Sequence, residues 1–168
     1  MVRADRLKLL LLMGLFAAPG LAAWLVRDHW RPTATASHGE LLEPFIPALG
    51  DAGLKGHWVL LTVAGRECDA ACRRQLYLSR QVRIAQGREQ ERVERALLRP
   101  PGAAPVDEPG LRHLVLPEAG LPPWQAGGGT RTYVMDPLGR VMLRFPAEPD
   151  GKGMIRDLGR LLKASAIG

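Results

Sequence analysis

Cys68 and Cys72 are the residues of this 168-residue chain whose type and spacing point most directly to chemistry. They follow an apolar segment, residues 57–64, which has the character of a buried strand, and they precede a segment with helical periodicity. If that helix begins near Cys68, the two sulfurs share one face, and the Cα atoms lie about 6 Å apart, within disulfide reach. Two thiolates at this spacing can also hold a soft metal ion.

The predicted start of the helix favours a reactive thiolate at Cys68, which is the expected attacking sulfur. Unpaired backbone N–H groups at a helix N-terminus favour the anionic thiolate over the thiol. Positive charge nearby comes from Arg66, Arg73 and Arg74, and the charges of Glu67 and Asp69 partly offset it. We therefore interpret the pair as redox-active, and a structural disulfide or two buried free thiols are the alternatives.

Residues 9–26 carry no charge and are mostly apolar. A run of this length approaches the roughly 20 residues that a helix needs to span a bilayer. It is longer than the core of most signal peptides, so we predict an uncleaved transmembrane anchor; cleavage near Ala23 is the alternative. Arg3, Arg6 and Lys8 precede the run and predict a cytoplasmic N-terminus.

The resulting organisation is a cytoplasmic N-terminus at residues 1–8, an anchor at 9–26, a small polar linker at 27–39 and one domain at 40–168. We expect a single-pass protein of the bacterial inner membrane with its C-terminal domain in the periplasm. Cysteines in that compartment are generally oxidised unless a dedicated system reduces them.

Composition and motifs narrow the function. The chain has 23 basic and 17 acidic residues, a net charge of +6, which suits an anionic lipid or an acidic partner surface. Aromatic residues are only 5% of the chain, and no nucleic-acid-binding motif is visible. No catalytic triad, phosphate loop or paired-carboxylate motif is visible either, so hydrolase and kinase functions have no support.

The order of predicted elements is strand, helix, strand, strand, strand and helix. This order predicts an α/β domain of the thioredoxin fold with a central mixed sheet. The last helix should bury Met154, Ile155, Leu158, Leu161 and Leu162. The predicted segments are strand 57–64, helix 69–86, strand 92–98, loop 100–110, a weak strand or short helix at 111–116, loop 117–129, strands 131–135 and 140–145, and helix 153–164.

The apolar strand leading to Cys-x-x-x-Cys and the later Tyr133-x-x-Asp136-Pro137-x-Gly139 segment resemble the Sco/SenC family. The resemblance implies a membrane-anchored thioredoxin-fold protein that helps mature the copper site of cytochrome c oxidase. It also implies that Cys68 and Cys72 correspond to the copper-binding, redox-active cysteines of that family.

The chain departs from the family pattern in its metal ligands. The family has a third copper ligand, a histidine shortly before the Asp-Pro pair, and that position falls at Gly128. We therefore expect the reduced pair to bind Cu(I), and to bind Cu(II) poorly because Cu(II) prefers an imidazole ligand. Of the histidines, His113 is the leading candidate to replace the missing ligand, ahead of His29, His38 and His57.

The resemblance predicts a factor that assists copper-site assembly by thiol–disulfide exchange, with Cu(I) transfer as an added step. Its expected partners are the copper-site subunit of cytochrome c oxidase or the assembly factors of that subunit. Two alternatives stay open: a general thiol–disulfide oxidoreductase, and a non-catalytic binding module with a structural disulfide. A reduction potential separates the last alternative from the others, because structural disulfides resist reduction.

Overall fold

The computed structural model describes Lys8 and residues 12–21, 37–49, 52–116 and 128–167. The chain divides into two compact units, Met1–Ala36 and Ser37–Gly168. In the first unit, residues 12–21 form a helix, α1, and the remainder of the predicted anchor, residues 9–11 and 22–26, lies outside the described residues. Among the described helices, none combines the length and the apolar character required to cross a membrane.

The described part of the second unit contains a six-stranded mixed sheet with the order β1-β6-β5-β2-β3-β4. Strands β2, β3 and β4 are parallel to one another, whereas β5 is antiparallel to β2, β6 to β5, and β1 to β6. The elements are β1 (Glu40–Phe45), β2 (Trp58–Val63), α2 (Ala70–Ala85), a 3-10 helix (Gly87–Arg92), β3 (Val93–Arg99), β4 (Arg112–Val115), β5 (Arg131–Met135), β6 (Val141–Arg144) and α3 (Gly151–Ala164).

Strand β2 forms the centre of the sheet, as its unbroken apolar sequence predicts. All six of its residues are buried, and it pairs with β3 on one side and β5 on the other. Val63, its last residue, lies opposite Leu98 near the end of β3 and opposite Arg131 at the start of β5. The C-terminal ends of β2 and β3 and the N-terminal end of β5 therefore meet at one end of the sheet, where the chain leads to Cys68.

Apolar side chains fill both faces of the sheet. On the face that contacts the helices, Leu60, Val134 and Phe145 pack with Leu158 and Leu162 of α3. The prediction for α3 is confirmed: Met154, Leu158 and Leu162 are buried, and Ile155 and Leu161 pack against the same cluster. Each fully buried side chain of this size contributes about 1.5–3 kcal/mol of transfer free energy, so the core needs no disulfide to form.

The elements match most of the sequence predictions, with one omission. Residues 100–110 contain no helix or strand, and segment 111–116 contains strand β4, the first of its two predicted alternatives. Strand β1 was not predicted. Its residues alternate weakly in hydropathy, and all six are exposed or partly exposed. The strand forms through its pairing with β6, which a local pattern does not reveal.

The compact unit begins at Ser37, within the segment assigned to the linker. The backbone N–H groups of His38 and Gly39 donate to the Asp157 carboxylate of α3 at 2.7 and 2.9 Å. The His38 ring accepts a 2.9 Å hydrogen bond from the Asp150 N–H. These contacts attach the entrance of the domain to helix α3.

Candidate functional site

Cys68 and Cys72 are joined in a disulfide at the end of the sheet where β2 terminates, and their Cα atoms are 5.1 Å apart. Helix α2 begins at Ala70, so Cys68 lies just before the helix and Cys72 lies in its first turn. The predicted pairing distance is confirmed. Helix α2 begins two residues after Cys68 and one residue after the predicted start at residue 69, because Asp69 is the N-cap and lies outside the regular helix.

Two hydrogen bonds hold the segment between the sulfurs. The Asp69 side chain accepts from the Cys72 N–H at 2.9 Å, an N-cap contact that aspartate makes well because its carboxylate satisfies an otherwise unpaired donor. The Arg73 guanidinium donates to the Cys68 carbonyl at 3.1 Å. The short spacing, the cap and the arginine together fix the first turn of α2 relative to the strand end.

The two sulfur-bearing residues differ in exposure. Cys72 is 0% exposed and packs with Ala64, Leu76 and Leu97. Cys68 is only partly buried and lies at the edge of the same cluster. An external thiol or disulfide therefore reaches Cys68 first, whereas Cys72 is shielded from solution. Attack by Cys68 stays a prediction, which this asymmetry supports.

A buried glutamine, one helical turn after Cys72, connects α2 to the strand ends around it. Gln75 donates to the carbonyls of Thr130 and Ala147, each at 2.9 Å. It accepts at 2.7 Å from the Thr132 hydroxyl, which in turn lies 3.2 Å from the Thr62 hydroxyl. The network fixes the entry to β5 beside the disulfide helix. It was not predicted, because its members are far apart in sequence.

Two buried arginines position the loop between β3 and β4. Arg95 extends beneath α2, donates to the Leu76 carbonyl at 2.9 Å and to the Ser79 hydroxyl at 3.1 Å, and pairs with the Glu108 carboxylate. Arg99 donates to the Arg66 carbonyl at 3.5 Å and also to the Ala104 carbonyl. Arg99 thereby links this loop to the turn that carries Cys68. The sequence signal for these roles is the presence of two arginines in a strand that also contains four apolar residues and Glu94.

The described histidines do not complete a metal site at the cysteines. His113 is exposed on β4, opposite Leu97 of β3. His57 precedes β2, at the end of the sheet opposite the cysteines. The His38 ring accepts a hydrogen bond from the Asp150 N–H at the start of α3. Across the residues that the structure describes, no three His, Cys, Asp or Glu side chains form a group that could hold a metal ion. His29 lies outside the described residues.

Gly128, the position of the absent family histidine, has a φ of +67°, and a Cβ atom there would meet no atom within 4 Å. Space is available, but the left-handed backbone disfavours any residue with a side chain. Among the described residues, the donor set at this site is therefore the two sulfurs. Such a set suits Cu(I) after reduction of the disulfide, and it does not suit Cu(II).

A comparison with known protein families identifies the family of the domain. Residues 58–165, from the start of β2 to just past α3, match the family described as "Transmembrane-like, thioredoxin-like, C-terminal domain". The chain belongs to this family. The matched range of this transmembrane-like, thioredoxin-like domain contains both cysteines and the Gln75 network. No curated protein sequence matches the chain.

Solved structures share the fold at low sequence identity. Copper-bound ScoI from Arabidopsis thaliana is 13% identical, with a TM-score of 0.52 over 77% of this chain and 100% of that chain. BsSco, a member of the Sco family of cytochrome c oxidase assembly proteins with an identified disulfide switch, is 12% identical, with a TM-score of 0.50 over 79% and 99% of the two chains. A candidate thiol:disulfide interchange protein DsbE from Chlorobium tepidum is 12% identical, with a TM-score of 0.48 over 76% and 97%.

Proposed function

We propose that this thioredoxin-like protein carries out thiol–disulfide exchange through Cys68 and Cys72. The observation that carries the proposal is the unequal exposure of a disulfide whose second cysteine lies in the first turn of a helix. Exchange needs one accessible sulfur that a partner can reach and a second sulfur that resolves the mixed disulfide. Cys68 and Cys72 meet these two requirements respectively.

The proposed reaction transfers two electrons. In the reduced protein, the Cys68 thiolate attacks a partner disulfide, forms a mixed disulfide and releases one partner thiolate. The Cys72 thiolate then attacks the Cys68 sulfur, which closes the Cys68–Cys72 bond and releases the second partner thiolate. The partner is reduced and the protein is oxidised; the reverse sequence of steps oxidises a partner dithiol.

Single-cysteine variants test the two roles. With oxidised glutathione as the probe, Cys72→Ser should accumulate a mixed disulfide on Cys68, which mass spectrometry detects as one glutathione adduct. Cys68→Ser should react at least about tenfold more slowly, because the Cys72 sulfur is buried in the apolar cluster. Faster reaction of Cys68→Ser would reverse the roles.

The reduction potential tests the structural alternative. We expect the full-length protein to equilibrate with a glutathione or dithiothreitol buffer at a potential between about −270 and −120 mV, the range of exchange proteins. A potential below about −300 mV is typical of structural disulfides and would instead support the non-catalytic binding module. The measurement follows the reduced fraction by thiol alkylation.

The finer proposal is that the target is the copper-site subunit of cytochrome c oxidase or one of its assembly factors. The Cys-x-x-x-Cys spacing and the Tyr133 to Gly139 segment, which resemble Sco/SenC proteins, support it. We place the chain in the bacterial inner membrane with this domain in the periplasm, on the basis of the uncharged segment at residues 9–26. Equal exchange with unrelated thiol peptides and with the copper-site subunit would favour a general oxidoreductase.

Cu(I) transfer is the second candidate function, because reduction would free two thiolates whose Cα atoms are 5.1 Å apart in the oxidised form. We predict that the reduced protein binds one Cu(I) ion through Cys68 and Cys72. Two equivalents of Cu(II) should instead be reduced to Cu(I) while the pair forms its disulfide. Titration with each ion, followed by thiolate-to-copper absorption and free-thiol assay, checks both outcomes.

A stable Cu(II) complex with intact thiols would contradict this prediction. A further ligand would then be required, and His113→Ala would test whether this histidine supplies it. Loss of the Cu(II) absorption in the His113→Ala protein, with Cu(I) binding retained, would identify His113 as that ligand.

A further inference from the structure

The solvent-facing side of α2 is basic and partly apolar. Helix α2 contains four arginines and no acidic residue. Arg73, Arg74 and Arg80 are exposed on the side turned away from the sheet. On the same side, Tyr77 is 61% exposed and Ile84 is 50% exposed. We call these five residues the α2 outer face; their spacing of three to four residues places them on one surface of the helix.

In the part of the chain that the structure describes, the three arginines of this face have no carboxylate partner, in contrast to five other arginines of the domain. Five other arginines form ion pairs with carboxylates: Arg92 with Glu89, Arg95 with Glu108, Arg112 with Glu94, Arg140 with Asp136, and Arg144 with Glu40. Within the described part of the chain, no carboxylate lies at ion-pair distance from Arg73, Arg74 or Arg80. The fold supplies counter-charges for these five arginines, whereas among the described residues the arginines of the α2 outer face have no counter-charge.

The face begins at the disulfide. Arg73 donates to the Cys68 carbonyl at 3.1 Å, and Arg80 lies about 12 Å further along the helix than Cys72 at 1.5 Å per residue. A partner that exchanges with Cys68 must bring its sulfur into bonding contact at this end of α2. Its surface around that sulfur would then lie against the arginines, with Tyr77 and Ile84 available for apolar contact.

We infer that the α2 outer face docks an acidic polypeptide surface that surrounds the exchanging cysteine of the partner. The inference rests on the proposed exchange function and adds the chemistry of the partner. Complementary charge accelerates encounter by tenfold or more at low salt and fixes the orientation of the docked molecules. A lipid surface would satisfy the positive charge equally well, but it would not bring a sulfur to Cys68, so we favour a protein partner.

The test compares two synthetic peptides with the same central cysteine, activated as the mixed disulfide with thionitrobenzoate and flanked by either four Glu or four Lys. In the reduced full-length protein, the Cys68 thiolate attacks the peptide sulfur and displaces the coloured thionitrobenzoate anion. Cys72 then closes the disulfide and releases the peptide thiolate. At about 10 mM salt, where charges interact over roughly 30 Å, the acidic peptide should react about tenfold faster than the basic one. At about 1 M salt, where screening limits this range to roughly 3 Å, the ratio should approach one.

Two double variants that lose the same charge test whether the α2 outer face causes the difference in rate between the peptides. Arg74→Gln/Arg80→Gln should reduce the acidic-to-basic rate ratio at low salt to about threefold or less. Arg156→Gln/Lys163→Gln removes the same charge from exposed positions on α3 and should leave the ratio unchanged. Arg73 is retained in both proteins because it contacts the Cys68 carbonyl.

Three outcomes would overturn the inference while leaving the exchange function intact. One is equal rates for both peptides at low salt. Another is an equal fall of the ratio in the two double variants, since net charge alone would then explain it. The third is loss of binding to phosphatidylglycerol vesicles by Arg74→Gln/Arg80→Gln with no change in the peptide ratio, which would make the face a membrane-binding surface. Failure to react with either peptide would instead refute the proposed function.

Discussion

Helices α2 and α3 pack on the same face of the sheet, and each begins at an aspartate N-cap, but they are held in different ways. The buried face of α3 places Met154, Leu158 and Leu162 in the core, and its buried Asp157 accepts hydrogen bonds from the entrance of the domain and not from the sheet. The buried face of α2 includes Gln75 and Ser79 beside its apolar residues, and these two side chains join hydrogen-bond networks. Apolar contacts fix how deeply a helix packs, whereas directional hydrogen bonds also fix its rotation and its position along the axis.

The two helices are held in different ways because only α2 carries a cysteine of the disulfide. Helix α3 completes the core and carries no cysteine, so we expect small adjustments of its position to leave the disulfide unchanged. Helix α2 carries Cys72 and must hold it within bonding distance of Cys68, which lies outside the helix. Buried polar groups are costly unless they are satisfied, so a satisfied network favours one arrangement strongly over its neighbours.

The largest expected effect concerns the apolar helix. Leu158→Ala should lower the free energy of unfolding by about 2–5 kcal/mol, because it leaves a cavity in the core. Under conditions where the variant is folded, its rate of exchange with oxidised glutathione should equal that of the wild type. Urea unfolding and the adduct assay measure the two quantities. An altered exchange rate in the folded variant would show that α3 also positions the cysteines.

A smaller loss of stability with a larger effect on exchange is expected for the polar helix. Gln75→Leu removes the bonds to Thr130, Thr132 and Ala147 and should lower the free energy of unfolding by about 1–3 kcal/mol. Because the entry to β5 is then no longer fixed beside the disulfide, the reduction potential and the exchange rate should both change.

Gln86 provides the matched control for this variant. It also lies on α2 and donates to backbone carbonyls of Val82 and Ile155, but it caps the end of the helix far from Cys72. Gln86→Leu should lower stability and leave the potential unchanged. Equal shifts of the potential in the two variants would remove the distinction between the site end and the far end of α2.

The smallest expected effect concerns the N-cap of α3 and depends on pH. The Asp150 carboxylate accepts hydrogen bonds from the N–H groups of Gly153 and Lys152, which lower the pKa of Asp150. A lowered pKa in the folded state gives stability that is fully present above the unfolded pKa of about 3.9 and is lost as pH falls through the folded value. Asp150→Asn, whose amide oxygen can still cap the helix, should therefore lose less thermal stability than the wild type between about pH 5 and pH 2. A parallel fall of the melting temperature in both proteins would contradict this assignment.

The sequence was informative where one segment carries its own signal. The apolar run of β2, the periodicity of α3 and the spacing of the two cysteines are each visible within a few residues, and the structure confirms them. The thioredoxin-like fold follows from their order. These features depend on local patterning, which single-sequence reasoning detects well.

The features that were missed depend on contacts between distant segments. Strand β1 forms because Glu40 and Leu41 pair with Arg144 and Leu143, about a hundred residues later. Gln75 reaches Thr130 across 55 positions, and nothing near Gln75 indicates that it is buried. Partners of this kind become visible only when the topology brings them together.

The disulfide closes a short ring, so the oxidised and reduced states should differ little in stability. Its cysteines are only four positions apart, so closing the ring removes little conformational freedom from the unfolded chain. The entropic stabilisation is about 2 kcal/mol, against nearly 5 kcal/mol for a bridge that closes a 100-residue loop. Opening the bond therefore costs the domain little stability, so the exchange that we propose would not require the domain to refold in each cycle.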